Sequence, residues 1–247
     1  MNLQILGSSS AGNCYLFNSE RETLVVECGL RFPLIKQALN FDLSRVAGCI
    51  VTHEHKDHSK GVDGAIEAGI DIYATSGTHV AMGTEKGHRS KIVQAGKQYQ
   101  VGEFRIMSFD VKHDAAEPVG YLIHHQECGT VLFLTDSYYT EYTFRGLNNI
   151  LVEANYCERL IDRLVSEGKL EDFRRRRLLT SHMSIQTCRD MLAANDLSAV
   201  NNIVLIHLSD GNSEADRFKR EVEQETGKTV HIADAGLIIE NFDKTPF

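Results

Sequence analysis

The sequence predicts an α/β protein made of stacked β-sheets with helices covering each outer face. Three observations predict it. Short β-like runs give way to helix-like runs twice along the chain, and β meanders lie in both halves. The 247 residues are 42% hydrophobic, with only three prolines and no Pro/Gly/Ser-rich linker, which favours one domain spanning residues 1–247. Periodicity by itself leaves other α/β arrangements open.

Residues 3–6, 14–17 and 23–27 are short apolar runs between polar breaks and read as strands. A helix follows at 33–39. The apolar run Ala47-Gly48-Cys49-Ile50-Val51 carries a strand at 49–51 that empties into a polar loop. Residues 61–68 read as a helix, 71–74 as a strand and 77–86 as another helix. The meander runs through 99–101, 104–109, 120–124 and 130–134, and 149–152 adds a strand. Helical patterns occupy 158–165 and 185–194, the second with Ser184 as N-cap. Residues 178–181 read as strand-like. The chain closes with a strand at 203–206, a helix at 213–225 and strands at 230–232 and 237–239.

The net charge of −8 argues against broad coating of nucleic acid but says little about a cleft. One basic run stands out, Arg174, Arg175, Arg176 and Arg177. Six cysteines are scattered without a C-x-x-C pair, which disfavours both a disulfide framework and a thiolate metal site. No run approaches the ~18 apolar residues of a membrane helix. The N-terminal segment lacks the pattern of a signal peptide, so the expected location is cytoplasmic, with no membrane partner.

The segment Thr52-His53-Glu54-His55-Lys56-Asp57-His58 places three imidazoles and the Asp57 carboxylate within six residues. Imidazole nitrogen and carboxylate oxygen are the donors that Zn²⁺ and similar ions prefer. In an extended segment His53, His55 and Asp57 point one way, with His58 turned to a neighbouring point. A second metal needs more donors. His113, Asp136 and His207 each lie just past a β run, where a β-scaffold delivers side chains to one rim.

The order H-x-H-x-D-H, then His, then T-D, then His resembles the metallo-β-lactamase fold, a four-layer αββα sandwich of two mixed sheets flanked by helices. The resemblance implies that His53, His55 and His113 hold one metal and Asp57, His58 and His207 the other, with Asp136 bridging. It covers essentially the whole chain. The flanks at residues 7–13 and 113–121, Ser181-His182-Met183-Ser184 and His207-Leu208-Ser209 resemble the WalJ/YycJ-type metallohydrolases. That group implies 5′-to-3′ DNA exonuclease activity. Two departures stand out: Glu27 where the family usually has Asp, and Asn155-Tyr156-Cys157 where it tends to read Asn-His-Asp. Glu27 is the expected brace of the ligand histidines.

The expectation is therefore a dinuclear hydrolase that cleaves phosphodiesters by attack of a hydroxide shared between two divalent ions, Zn²⁺ first and Mn²⁺ as the alternative. Asp57 and His182 are the expected catalytic residues, His182 contacting the scissile phosphate or protonating the leaving oxygen. Ser9 and Asn13, in the small-residue segment 7–13, and the four arginines are the expected substrate contacts. A tight hairpin and a solvated helix face compete with these last two assignments. His79 and His88 read as surface positions. Asp110 and Asp114 flank His113 and are candidates to orient it. DNA is favoured over RNA as substrate. The alternatives are a small-molecule hydrolase, of the glyoxalase-II thioesterase or cyclic-phosphate kind, and a non-catalytic metal-stabilised binding protein.

Overall fold

The computed structural model describes residues 1–245. The first half runs β1 (Asn2–Ser9), β2 (Gly12–Asn18), β3 (Thr23–Val26), α1 (Phe32–Ala38), β4 (Val46–Ile50), α2 (Lys56–Ser59), α3 (Val62–Glu67), β5 (Ile72–Ala74), α4 (Ser76–Met82) and β6 (Ser90–Ile92). A meander follows, of β7 (Gln98–Val101), β8 (Phe104–Asp110), β9 (Val119–His125) and β10 (Gly129–Leu134). The rest is β11 (Leu147–Glu153), α5 (Glu158–Ser166), α6 (Asp172–Ser181), α7 (Ile185–Ala193), β12 (Asn202–Ile206), α8 (Ala215–Thr226), β13 (Thr229–Ile232) and β14 (Ile238–Ile239).

Among the described residues the strands form two seven-stranded sheets, ordered β14-β1-β2-β3-β4-β5-β6 and β13-β12-β11-β10-β9-β8-β7. Both are mixed. β3 and β4 pair in parallel, as do β10, β11 and β12, so their C-terminal ends leave each sheet at one rim. β8 runs antiparallel to β9, and β9 to β10, which brings the end of β8 to the same rim.

The sequence supports this locally. β10, β11 and β12 are almost continuous apolar runs, as parallel strands covered on both faces must be. α7 starts at Ser184, whose side chain accepts the Thr187 N–H, and α4 ends at Gly83 in the left-handed conformation. Between the sheets lies an apolar layer including Leu3, Ile5, Phe17, Ile106 and Ile123. Tyr15 meets Phe133 edge-on across it, with ring centroids 5.4 Å apart. The Tyr121 hydroxyl crosses to donate to the Val51 carbonyl at 3.0 Å. Two further apolar clusters seat α1 and α3 on one outer face and α7 and α8 on the other. This is the expected four-layer αββα sandwich.

Four local expectations are corrected. Residues 178–181 are the last turn of α6, not a strand. Residues 56–59 form the one-turn helix α2, not an extended loop. The helix expected over 77–86 stops at Met82, because Gly83 leaves the helical region with φ 75°. His79 is fully buried rather than at the surface, its Nδ1 2.8 Å from the Thr84 hydroxyl. Among the described residues no helix is long and apolar enough to cross a membrane.

Candidate metal centre

α2 decides how the ligand-type side chains divide. His55 is its N-cap, and the turn from Lys56 sets the Asp57 carboxylate with His58 and His207, while the His58 ring centroid stays 4.2 Å from that of His53. Asp57 therefore does not converge with His53 and His55, as an extended segment would require. Instead, ligand atoms of His53, His55, His113 and Asp136 lie within 4.8 Å of one another, and those of Asp57, His58, Asp136 and His207 form a second such group. In the first, His113 Nε2 is 3.2 Å from His55 Nδ1, and His53 Nε2 is 3.3 Å from Asp136 Oδ2. In the second, His58 Nε2 is 2.9 Å from Asp136 Oδ2 and 3.4 Å from Asp57 Oδ2, which is 3.4 Å from His207 Nε2. Asp136 belongs to both groups. Each draws on the two sheets: His53, His55, Asp57 and His58 follow β4, while His113, Asp136 and His207 follow β8, β10 and β12.

Several buried groups hold these side chains. Glu27, fully buried just past β3, accepts the Thr52 hydroxyl at 2.6 Å and lies 3.4 Å from His58 Nδ1. Thr52 Oγ1 in turn meets His53 Nδ1 at 3.0 Å, so one carboxylate steadies two histidines. Gly29 lies so close to the ligand loop that a Cβ there would sit 1.7 Å from the Asp57 carbonyl oxygen. His113 Nδ1 donates to the Ser181 carbonyl at 2.8 Å, and Asp114 accepts the Ser181 hydroxyl at 2.9 Å. Asp110 is an exposed end of β8. Glu27, Asp136 and His207 all have positive φ (65°, 46° and 54°), a conformation that costs a non-glycine residue energy and that surrounding structure must impose.

Sequence reasoning missed Glu153. It is fully buried at the end of β11, and its Oε1 accepts from His182 Nδ1 at 2.7 Å and His207 Nδ1 at 3.1 Å. Its Oε2 accepts the backbone N–H groups of Ser137 and Met183 at 3.2 and 3.1 Å. Its place at the end of an apolar strand was the available signal, the same one that marks Asp136 and His207.

The electrostatics are those of buried imidazoles and carboxylates in close contact. Burial alone would depress His58, His182 and His207, but facing carboxylates outweigh it. Asp136 and Glu27 hold His58 well above the ordinary imidazole value. Glu153 and Asp136 raise His182 to about 10, and Asp136, Asp57 and Glu153 raise His207 to about 9. Burial and the neighbouring His58 push His53 down to about 3. Against its own burial, Asp136 is held well below the usual carboxylate range by His207 and His58. His53 Nε2 is buried without a hydrogen-bond partner, which fits a nitrogen aimed at a metal ion. The donor set, all imidazole and carboxylate, suits Zn²⁺ or Mn²⁺.

A cavity of about 650 Å³ opens over the cluster, lined by His55, Asp57, His113, Asp136, His182 and His207. Arg174 and Arg177, one turn apart on α6, line it too. Arg175 and Arg176 do not. The helical rotation points Arg175 to Asp162 of α5 at 2.8 Å and leaves Arg176 in solvent. Two other expected contacts also move. Ser10, not Ser9, lines the cavity, while the Ser9 hydroxyl accepts the Ala11 N–H within the β1–β2 hairpin. Asn13 is only 1% exposed, and its amide nitrogen is spent on the carbonyls of Ser9 and Asp57 and lies 3.2 Å from His58 Nε2. It braces the ligand loop from beneath.

A family model described as Beta-lactamase superfamily domain matches residues 23–208. Over 239 residues the chain is 28% identical to exodeoxyribonuclease YycJ of Bacillus anthracis, covering 91% of this chain and 88% of that protein. Over 166 residues it is 32% identical to exodeoxyribonuclease WalJ of Streptococcus pneumoniae, covering 62% of this chain and 61% of that one. Its fold is similar to that of the metallo-beta-lactamase fold protein YhfI of Bacillus subtilis. The TM-score is 0.72 at 18% identity, with 97% of this chain and 99% of that chain covered.

Proposed function

The chain belongs to the Beta-lactamase superfamily domain family, and from that premise we propose that it is a dinuclear exodeoxyribonuclease, hydrolysing phosphodiester bonds from a DNA end in the 5′-to-3′ direction. The carrying observation is that Arg174 and Arg177 share one cavity with the histidine–aspartate cluster. Two guanidinium groups beside a hydrolytic site favour an anionic, phosphate-bearing substrate over a neutral ester. The names of the two curated relatives support DNA.

His53, His55 and His113 would hold one divalent ion and Asp57, His58 and His207 the other, with Asp136 shared. The chemistry such a pair supplies is Lewis acidity toward water and toward a phosphoryl oxygen. The chain's own groups do the rest. Arg174 and Arg177 bind and orient phosphates flanking the scissile one. Glu153 accepts the hydrogen bond from His182 Nδ1–H, leaving Nε2–H as the group that gives a proton to the departing oxygen. The buried Glu153 carboxylate favours the protonated form of that imidazole.

The test is side-by-side turnover of single-stranded DNA labelled at either end, RNA, bis(p-nitrophenyl) phosphate and a glutathione thioester, with Asp57→Ala as the inactive control. Release of 5′-terminal nucleotides is expected. Thioester turnover without phosphodiester turnover overturns the proposal. His182→Ala should lower turnover of DNA by about 10²–10⁴-fold, the range for loss of a positioned proton donor.

A further inference from the structure

Phe173 lies beside Arg174 on α6 and is 64% exposed, yet it lines the same cavity as the metal cluster. It belongs to none of the three apolar clusters, and Ser181 is the buried residue of its helix. The ring thus stands outside the apolar core, with most of its surface open to solvent. Phe41, Tyr138, Tyr139 and Tyr142 are exposed as well, but none of them lines this cavity. The Arg174 guanidinium carbon lies 5.9 Å from the Phe173 ring centroid, so a flat apolar surface and a cation are presented together.

We infer that Phe173 is a stacking platform for an unpaired base at the reacting end of the substrate strand. The inference rests on the function proposed above and adds a base contact to it. A phosphate group alone calls for the arginines and not for the ring. A base inside a duplex has both faces covered by its neighbours, whereas an unstacked base offers a face to an aromatic side chain. A planar base joined to a phosphate satisfies Phe173 and Arg174 at once.

The experiment compares two fluorescein-labelled single strands of equal length and charge, one with bases throughout and one abasic throughout. Binding is read by anisotropy in EDTA, and KM is read with metal restored. The parent chain should bind the base-bearing strand about tenfold more tightly than the abasic strand. Phe173→Ala should abolish that preference, and Phe173→Trp should keep it, with KM following the same order. Because Phe173 is exposed, its replacement leaves the core packing intact. A base preference unchanged in Phe173→Ala overturns the inference while leaving the nuclease reading in place. A parent chain that binds the two strands equally overturns it as well, and one that cleaves no DNA, single-stranded or duplex, overturns both readings.

Discussion

Glu153→Gln keeps the shape of a buried side chain and removes its charge. The two carboxylate oxygens take four donors: two imidazole N–H groups on Oε1 and two backbone N–H groups on Oε2. An amide offers one oxygen and one NH₂. With NH₂ at the Oε2 position, it opposes the N–H groups of Ser137 and Met183, which have no alternative form. With NH₂ at the Oε1 position, it opposes the Nδ1–H groups of His182 and His207, which keep only Asp136 Oδ1, at 3.4 and 3.0 Å, as acceptor. Either way two donors lose the Glu153 oxygen, and in the second case Asp136, shared by both ligand groups, must take up both imidazoles. Hydrogen-bond partners behind metal-holding histidines are worth about 10–100-fold in affinity, or about 1.4–2.8 kcal/mol. The loss should fall on the group containing His207 and spare the group of His53, His55 and His113. Isothermal titration of metal-depleted protein with Zn²⁺ should keep one binding phase at parental affinity and move the other by that factor. Two unchanged phases, or two phases weakened equally, would refute the reasoning.

Gly29→Ala should destabilise the fold by about 2–4 kcal/mol, since the new Cβ meets backbone at the Asp57 carbonyl and the Asn13 nitrogen, neither of which can swing aside. A thermal midpoint within a degree of the parent's would contradict this. Arg174→Ala and Arg177→Ala should each reduce the slope of log K against log salt for DNA binding by about 0.7, whereas Arg176→Ala, whose side chain points to solvent, should leave it alone. Metal affinity should rise with pH. His58 is held above its ordinary value and His207 at about 9 in the metal-free chain, so both carry protons at pH 7 that a bound ion must displace. Apparent affinity then climbs as pH rises from 7 to 9. Calorimetry in buffers of different ionisation enthalpy should register proton release at pH 7, and finding none would sink the argument.

The layered fold and the ligand-type residues could be read ahead of the structure because each sits where an apolar strand ends. Val131-Leu132-Phe133-Leu134 leads to Asp136 and Ile203-Val204-Leu205-Ile206 to His207, and burial of those strands puts whatever follows at the rim. Glu153 obeys the same rule, but it stands just outside the neighbouring motif, Asn155-Tyr156-Cys157, and is not part of it. α2 escaped because a single turn has no period to detect. α6 escaped because it buries almost nothing, so its residues carry no apolar stripe, and Leu178-Leu179-Thr180-Ser181 then reads as readily as a strand. Ser9 and Asn13 turn elsewhere: the Ser9 hydroxyl closes on the Ala11 N–H, and the buried Asn13 amide bonds the Ser9 and Asp57 carbonyls, partners that a run of small residues does not reveal.

That each ligand group draws on both sheets has a thermodynamic consequence. An ion held by His53 and His55 on one side and His113 and Asp136 on the other would be a rivet through the seam, and one in the second group would be a second rivet. Pulling the sheets apart must release both, so every increment of binding free energy adds to the work of separating the layers, by RT ln(1 + [L]/Kd) per site. At a hundredfold excess over Kd, that is about 2.7 kcal/mol for each ion. The chelated chain should then melt earlier and with less cooperation between its halves, making the hydrolytic centre also the fastener of the sandwich.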